Sequence, residues 1–180
     1  MIDSTLYSIG HGNKTIDKLI DELKSFNIKY LVDVRTKPYS RWNPHFNQDS
    51  LKAILKKHNI GYLFLGREIG GLPSDKSCYT EDGKIDYSLV KKKDFFQKGI
   101  DRLLLANNKK IAIATMCSET NPEECHRSKL IGKELLLKGI DTKHILGVDK
   151  IKKQSTINSI LFGLFANNED FDLSSKKSYK

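Results

Sequence analysis

IAIAT, residues 111–115, is the stretch of sequence that decides the fold. It is a compact run without a charged side chain, which is typical of a central strand buried on both faces of a parallel sheet. Apolar residues recur at helical spacing in the segments on either side, 88–105 before it and 125–137 after it, and Gly139 ends the second. A buried strand between two helices is the repeating unit of an α/β fold.

Working outward, other apolar runs predict the remaining strands of the sheet. These runs are residues 6–10, 30–34, 62–65 and 144–146. Helices are predicted at 16–26, where Thr15 is a suitable N-cap, and at 48–57. Residues 66–83 are expected to be irregular.

The alternation of strands and helices predicts a three-layer α/β sandwich, Rossmann-like, with a mostly parallel central sheet of about five strands flanked by helices. We assign residues 1–148 to a single α/β domain. Residues 149–180 are expected to form a C-terminal helical extension, from the segment STINSILFGLF, and a basic, partly flexible tail.

The composition of the chain, 38% hydrophobic and 29% charged, is that of a globular protein. No apolar run approaches the ~20 residues that span a bilayer, and the N-terminus lacks the features of a secretory signal, so we expect a cytoplasmic protein without a membrane segment. The odd number of cysteines, 3, favours reduced thiols. The net charge of +9 suggests an anionic partner, although solvated lysines explain it equally well. No oligomeric state follows from the sequence.

GHGN follows the first predicted strand, where loops and helix N-termini of a parallel sheet converge on a ligand. His11 and Asn13 could bind that ligand, or they could only cap the next helix. The dinucleotide fingerprint GxGxxG is not met, because residues 10–15 read GHGNKT. The sequence therefore carries no nicotinamide or flavin signature.

DVRTKPYSRWNPHFN, which begins at Asp33, follows the second predicted strand. Asp33 and Arg35 lie on the same side of an extended segment and can form a buried ion pair. Arg35 together with Arg41 could bind a phosphate or carboxylate, and Trp42 and Phe46 could stack on a base. The aromatic side chains could equally hold the loop onto the domain.

MCSETNPEECHRSKL follows the central strand and holds the densest group of reactive side chains. Cys125 lies near a predicted helix N-terminus, where a thiol can become a nucleophile or a redox group, or it could simply pack in the core. His126 could act as acid or base, with Glu119 orienting it, and Arg127 could bind negative charge. Neighbouring helix residues face different directions, so only Arg127 or His126 is expected to face the crevice beside an inward Cys125.

Two familiar cysteine sites do not match this segment. Cys117, Cys125 and His126 have the spacing C-x7-C-H rather than paired CxxC motifs, which disfavours a structural zinc, and we assign no metal ligand. A cysteine phosphatase would carry an arginine six residues after its cysteine, whereas Glu123 stands there after Cys117.

Four motifs in order, SIGHGN, LVDVRTKPYSRWNPHFN, GREIGG and MCSETNPEECHRSKL, resemble the bacterial and archaeal family of domain of unknown function 488. The resemblance runs from about residue 6 to 147 and implies an α/β sandwich without an assigned activity. LVDVR also resembles a strand of rhodanese-like sulfurtransferases, whose cysteine loop has a different layout. The family resemblance implies these signature positions: His11, Asn13, Asp33, Arg35, Pro38, Arg41, Asn43, Phe46, Gly70, Gly71, Cys117, Glu119, Cys125, His126 and Arg127.

Three functional hypotheses follow. The first is an enzyme acting on a nucleotide, nucleobase or nucleic acid, with Cys117, Glu119, His126 and Arg127 as catalytic residues. The second is a non-catalytic nucleotide or nucleic-acid-binding module, and the third is a thiol-dependent sulfur or redox protein. The candidate substrate-binding residues are His11, Asn13, Asp33, Arg35, Arg41, Asn43, Arg67 and Glu68.

Overall fold

A computed structural model describes the backbone of residues 4–165 and the side chains of residues 4–160. Its strands are β1 (Leu6–Gly10), β2 (Tyr30–Asp33), β3 (Gly61–Phe64), β4 (Ile113–Cys117), β5 (Lys143–Gly147) and β6 (Lys150–Lys153). Within the described range these 6 strands form one sheet in the order β3-β2-β4-β1-β5-β6. All neighbours are parallel except β5 and β6. The predicted mostly parallel sheet is confirmed.

Helices cover both faces of the sheet, which confirms the three-layer sandwich. The helices are α1 (Ile16–Ser25), α2 (Gln48–Lys57), α3 (Gly66–Ile69), α4 (Tyr87–Lys91), α5 (Asp94–Asn108), α6 (Lys133–Leu137) and α7 (Gln154–Phe165). α1 and α2 pack on one face, and α3 to α6 supply buried side chains to the other. Thr15 caps α1 as predicted, accepting a hydrogen bond from the backbone N–H of Lys18 at 3.3 Å.

β4 is the centre of the molecule, and every residue in it is buried. Side chains alternate along a strand, so Ile113 and Cys117 contribute to the core under α5, while Ala114 and Met116 contribute to the core under α1 and α2. Burial on both faces explains why β4 carries no charged residue.

Two predicted helices differ from the observed ones. The helix expected over 88–105 is broken, because Lys93 is extended (φ −85, ψ 138) and starts α5 separately from α4. The Gln97 side-chain amide donates to the Lys91 carbonyl at 2.6 Å, and this carbonyl at the end of α4 thereby gains a hydrogen-bond donor. The helix expected from Cys125 starts later, because Cys125 is extended (φ −111, ψ 151). A π-helical segment, Arg127–Gly132, then leads into α6.

β6 was not predicted from the sequence, because KIKK is polar and lies at the sheet edge. β6 pairs with β5 and leads directly into α7, the helix expected from STINSILFGLF. The tail predicted at residues 167–180 lies outside the described residues. Among residues 4–165, no helix has the length and apolar character that crossing a membrane requires.

Candidate functional site

A cavity of about 690 Å³ opens where β1, β2 and β4 end. β4 lies between β1 and β2, so the three loops that follow these strands meet at one edge of the sheet. Ligands of open α/β sheets bind at such a crevice outside the carboxyl ends of the strands. The fold therefore places the motifs that follow these three strands around one space.

The loops after β1 and β4 are joined by backbone hydrogen bonds. His11 N–H donates to the Cys117 carbonyl at 3.0 Å, and Gly12 N–H donates to the Ser118 carbonyl at 3.1 Å. A Cβ atom on Gly10 would lie 1.9 Å from the Glu119 carbonyl oxygen. Glycine is thus required at this position by the close approach of the two loops.

Two thiols meet at the floor of the cavity. The sulfur atoms of Cys117 and Cys125 are 2.8 Å apart, and both residues line the cavity although each is 2% exposed. The third cysteine, Cys78, is buried but does not line the cavity. Within the described residues, the thiols of Cys117 and Cys125 together with the imidazole of His126 are the one group of three metal-binding side chains.

The surroundings of the thiol pair favour one negative charge on Cys125. Burial raises the pKa of Cys125, but the hydrogen bond from Cys117 and the charges of His126 and Arg127 together hold that pKa well below the ordinary thiol value. Burial and the hydrogen bond with Cys125 raise the pKa of Cys117 well above it. The backbone N–H and Nε–H of Arg127 each lie 3.4 Å from the Cys125 sulfur. A thiolate there is therefore held by several donors.

His126 is fixed by its two ring nitrogens. Nε2 lies 3.2 Å from the Val34 carbonyl oxygen, which can only accept, so Nε2 carries the proton. Nδ1 then faces the Cys125 sulfur at 3.5 Å. A Cβ atom on Gly71 would lie 2.9 Å from this Nδ1. The second glycine of the GREIGG motif therefore lets the backbone approach the imidazole ring closely.

Arg127 lies behind the thiols and does not line the cavity. Its side chain is 1% exposed, and NH2 donates to the carbonyl oxygens of Glu119 at 2.7 Å and Thr120 at 3.4 Å. Of the two residues that the sequence analysis expected to compete for the crevice, His126 faces it. Arg127 instead fixes the loop after β4 and one sulfur.

A buried chain of hydrogen bonds continues from Arg127 into the sheet. NH1 of Arg127 donates to Ser8 Oγ at 3.3 Å, and Ser8 Oγ lies 2.6 Å from His144 Nδ1. His144 Nε2 donates to Gln154 Oε1 at 2.8 Å, so Nδ1 is the nitrogen that accepts from the Ser8 hydroxyl. Burial lowers the pKa of His144 to about 4, and this histidine is neutral at pH 7.

Acidification from pH 7 to pH 5 is expected to lower the free energy of unfolding by about 2 kcal/mol through His144 alone. The pKa of His144 in the folded protein, about 4, lies below the ordinary value of 6.5, so between these values the unfolded chain binds a proton that the folded chain does not bind. The contribution of His144 to stability is therefore fully present above pH 6.5 and is lost as the pH falls towards 4. Urea unfolding at both pH values measures the loss.

The matched variants for this pH test are His144→Gln and His58→Gln, since His58 is only half-buried. His144→Gln should lose distinctly less stability on acidification than the wild type does, whereas His58→Gln should lose as much. An equal loss in all three proteins would contradict the role assigned to His144.

Asp33 and Arg35 form the ion pair that the sequence predicts. Nε of Arg35 donates to Asp33 Oδ1 at 2.9 Å, and NH2 donates to Oδ2 at 2.6 Å. NH2 also donates to the Phe46 carbonyl at 2.7 Å, and the Tyr62 hydroxyl donates to Asp33 Oδ2 at 2.8 Å. Asp33 is fully buried behind Arg35, which lines the cavity.

His11 holds the remaining nitrogen of Arg35. Its Nδ1 donates to the Gly12 carbonyl at 2.9 Å, so the lone pair of Nε2 faces Arg35 NH1 at 3.4 Å. Burial lowers the pKa of His11 to about 4, which the charge of Arg35 reinforces. The ring stacks on Phe46 with centroids 4.3 Å apart. His11 is thus a neutral residue that orients Arg35.

Most of the candidates from the sequence analysis meet at this cavity. Those that line it are His11, Asn13, Arg35, Asn43, Cys117, Glu119, Cys125 and His126. Asp33 and Arg127 lie directly behind this lining. Arg41 and Arg67 are exposed and do not line the cavity, and Glu68 instead pairs with Arg102 at 3.5 Å.

Several other residues that line the cavity were not predicted from the sequence. These are Thr36, Lys37, Tyr39, Ser40, Leu72, Tyr87, Ser118, Thr120 and Glu124. Seven of them lie within the motifs after β2 and β4, between residues that had been predicted to form the site, so their position in these loops is the signal that could have identified them. Tyr87 follows a poorly patterned segment and carried no such signal.

The fold and the site define an α/β sandwich with a strand-end cavity floored by two thiols and an imidazole. A family model described as domain of unknown function DUF488 matches residues 15–133, and the chain belongs to this family. Among curated proteins and among solved structures, none matches the chain.

Proposed function

We propose that the protein is an enzyme that acts on a nucleotide or nucleobase bound in the cavity. The observation that carries this proposal is the meeting of Cys117, Cys125 and His126 at the floor of an open cavity, beside an arginine fixed by a buried carboxylate. Reactive groups held in a defined geometry next to a binding space are what catalysis requires.

The walls of the cavity support a small ligand with both polar and flat parts. Lys37 and Arg35 bring positive charge to one side, and Glu119 and Glu124 bring carboxylates to the lining after β4. Tyr39, which is 70% exposed, offers an aromatic ring at the rim. The volume of about 690 Å³ falls within the range of small-ligand sites. A nucleotide combines an anionic group, hydrogen-bonding edges and a ring that can stack.

The sulfur and imidazole atoms are the groups that could react with such a ligand. Cys125 is positioned against His126 Nδ1 at 3.5 Å, as in a nucleophile and its base. Glu119 lines the same space and could transfer a proton. Asp33 and His11 act as positioning residues, because each touches Arg35 rather than the open space.

A second candidate function is a nucleic-acid-binding module that does no chemistry. Trp42 is 91% exposed, and Arg41 beside it is also exposed, on the loop after β2. An exposed indole next to a guanidinium can stack on bases and bind phosphate. In this case the ligand would contact the outer face of the loop rather than the cavity.

We expect nucleotides that bind the cavity to raise the melting temperature of the wild type, with about 2.7 kcal/mol of stabilisation at a hundredfold excess over the dissociation constant. Lys37→Gln should weaken this binding by roughly tenfold, about 1.4 kcal/mol, because it removes a charge from the wall. Thermal-shift titrations with nucleotides, nucleosides and free bases measure both effects.

Arg41→Gln is the matched control, since it removes the same charge from an exposed position outside the cavity. It should leave the affinity unchanged. If Arg41→Gln and Trp42→Ala weaken binding of short single-stranded DNA or RNA while Lys37→Gln does not, the binding module replaces the cavity enzyme as the better account. If no nucleotide, nucleoside, base or nucleic acid stabilises the protein, both are wrong.

A further inference from the structure

We propose that Cys117, Cys125 and His126 form a binding site for a thiophilic divalent cation, Zn²⁺ foremost, with one coordination position open to the cavity. The three ligand atoms all lie within 4.8 Å of one another. The metal site stands on this geometry alone. Its use in catalysis rests on the proposed function, and with the cation bound Cys125 and His126 would be ligands rather than nucleophile and base.

The donor set is that of a zinc centre. Two thiolates and one imidazole bind Zn²⁺ at about 2.3 Å and about 2.0 Å respectively, in tetrahedral geometry. Two such ligands, one sulfur and one nitrogen, stand about 3.5 Å apart around the ion. Cys125 Sγ and His126 Nδ1 already have this separation, 3.5 Å. The sulfur pair, at 2.8 Å, must open by about 1 Å to admit the cation, and the Cys117 sulfur, which lies within 4.8 Å of the imidazole, must reach the same separation from it as Cys125 has.

The surroundings orient the ligands as metal sites do. A histidine that binds a metal through one nitrogen usually donates its other N–H to a backbone carbonyl or a carboxylate. His126 does so to the Val34 carbonyl at 3.2 Å, which turns Nδ1 towards the sulfur atoms. Glu119 N–H lies 3.3 Å from the Cys117 sulfur, and Arg127 Nε–H lies 3.4 Å from the Cys125 sulfur. These donors would hold both thiolates in place.

The charges also fit a bound cation. Two thiolates carry two negative charges, which a divalent cation neutralises, and Arg127 is the one guanidinium donating to this sulfur pair in the described residues. Without the cation, two buried thiolates could not coexist 2.8 Å apart, because like charges at this distance repel strongly. Metal binding would therefore release the proton that the pair shares.

The site is of the catalytic rather than the structural type. Three protein ligands leave a fourth position, which a catalytic zinc site fills with water or substrate, whereas structural sites have four protein ligands. Cys117, Cys125 and His126 all line the cavity, so the fourth position faces the space where the ligand would bind. Glu119 lines that space too and is a carboxylate that could take a proton from bound water.

The C-x7-C-H spacing disfavoured a structural zinc in the sequence, and the fold explains how the spacing still brings the donors together. Cys117 ends β4, whereas Cys125 follows a 3-10 turn, Pro122–Glu124, that brings the chain back to the strand end. Paired CxxC motifs hold two ligands on one knuckle. Here a strand end and a returning loop supply them instead.

Cobalt titration of the chelator-treated full chain tests this proposal. We expect one Co²⁺ per chain, with sulfur-to-cobalt charge-transfer absorption in the near ultraviolet and strong visible bands of tetrahedral cobalt, displaced by Zn²⁺. Cys117→Ser and Cys125→Ser should each weaken binding at least a hundredfold and lose charge-transfer intensity. Cys78→Ser, which removes a buried thiol that does not line the cavity, should leave the affinity and the spectrum unchanged.

Native mass spectrometry of the wild type gives a readout that depends on no variant. A mass increase of one Zn²⁺ per chain, lost on chelation, is expected. The proposal is overturned if Zn²⁺ does not bind stoichiometrically, or if Cys125→Ser binds Co²⁺ with the wild-type spectrum. Failure of the metal site can be distinguished from failure of the proposed function. If the protein binds no metal but needs Cys125 to convert a nucleotide, the metal site is wrong and the proposed function stands. If the protein binds zinc but converts no nucleotide, the metal site stands and the proposed function is wrong.

Discussion

Replacing Arg127 by methionine is expected to lower the free energy of unfolding by about 3–5 kcal/mol, the effect of removing one member of a buried charged network. The Arg127 side chain is 1% exposed and donates to Cys125, Ser8, and the carbonyl oxygens of Glu119 and Thr120. Methionine fills a similar volume but leaves these buried acceptors without a donor. Urea unfolding followed by circular dichroism measures the loss.

The matched control is Arg102→Met, because the Arg102 side chain is 47% exposed and its partner Glu68 lies 3.5 Å away. An exposed pair of this kind contributes less than about 1 kcal/mol. If Arg127→Met were as stable as Arg102→Met, Arg127 would not be the group that holds the loop after β4.

Asp33→Asn is expected to cost a comparable amount, about 3–5 kcal/mol, because it leaves the Arg35 guanidinium buried without its counter-charge. Asp33 is fully buried and accepts hydrogen bonds from the backbone and the side chain of Arg35 and from the Tyr62 hydroxyl. Asparagine can accept only part of these and offers donors where acceptors are needed. Thermal or urea unfolding of the single variants gives the values.

A double-mutant cycle separates the ion pair from general damage to the loop. Arg35→Met should also destabilise the protein, and the double variant with Asp33→Asn should be more stable than the sum of the two losses predicts, by about 0.5–3 kcal/mol. Additive losses would contradict a direct pair. Tyr62→Phe, which removes one hydrogen bond to Asp33 at 2.8 Å, should cost only about 1 kcal/mol.

A strand of the sheet could be predicted from the sequence where both of its faces are buried. β4 is buried on both faces and therefore carries no charged residue, and Thr15 marks the start of α1 through its own side chain. β6 could not be read in this way, because KIKK at an edge is stabilised by pairing with β5 rather than by burial of its side chains. The interruption between α4 and α5 at Lys93 could not be predicted, because the apolar residues of the two helices continue at helical spacing across it.

The contacts of the site were predictable where both residues belong to the same strand and the residues that follow it. Side-chain alternation places Asp33 and Arg35 together, and the structure contains that pair. Contacts between strands were not predictable: Ser8 and His144 are opposite each other in the register of β1 and β5, yet 136 positions apart in sequence. Nor does the sequence reveal that Arg127 is buried, because arginine is usually exposed and two of its partners here are backbone carbonyls.

Product formation by cysteine variants tests the central claim, that the thiol and imidazole group at the cavity floor does the chemistry. Each nucleotide or nucleobase that stabilises the protein is incubated with the wild type, Cys125→Ser and Cys78→Ser, and products are identified by mass spectrometry. We predict the same product from the wild type and Cys78→Ser, and none from Cys125→Ser, which should still be folded and bind the ligand. Product at the wild-type rate from Cys125→Ser, or no product from the wild type, would contradict the account.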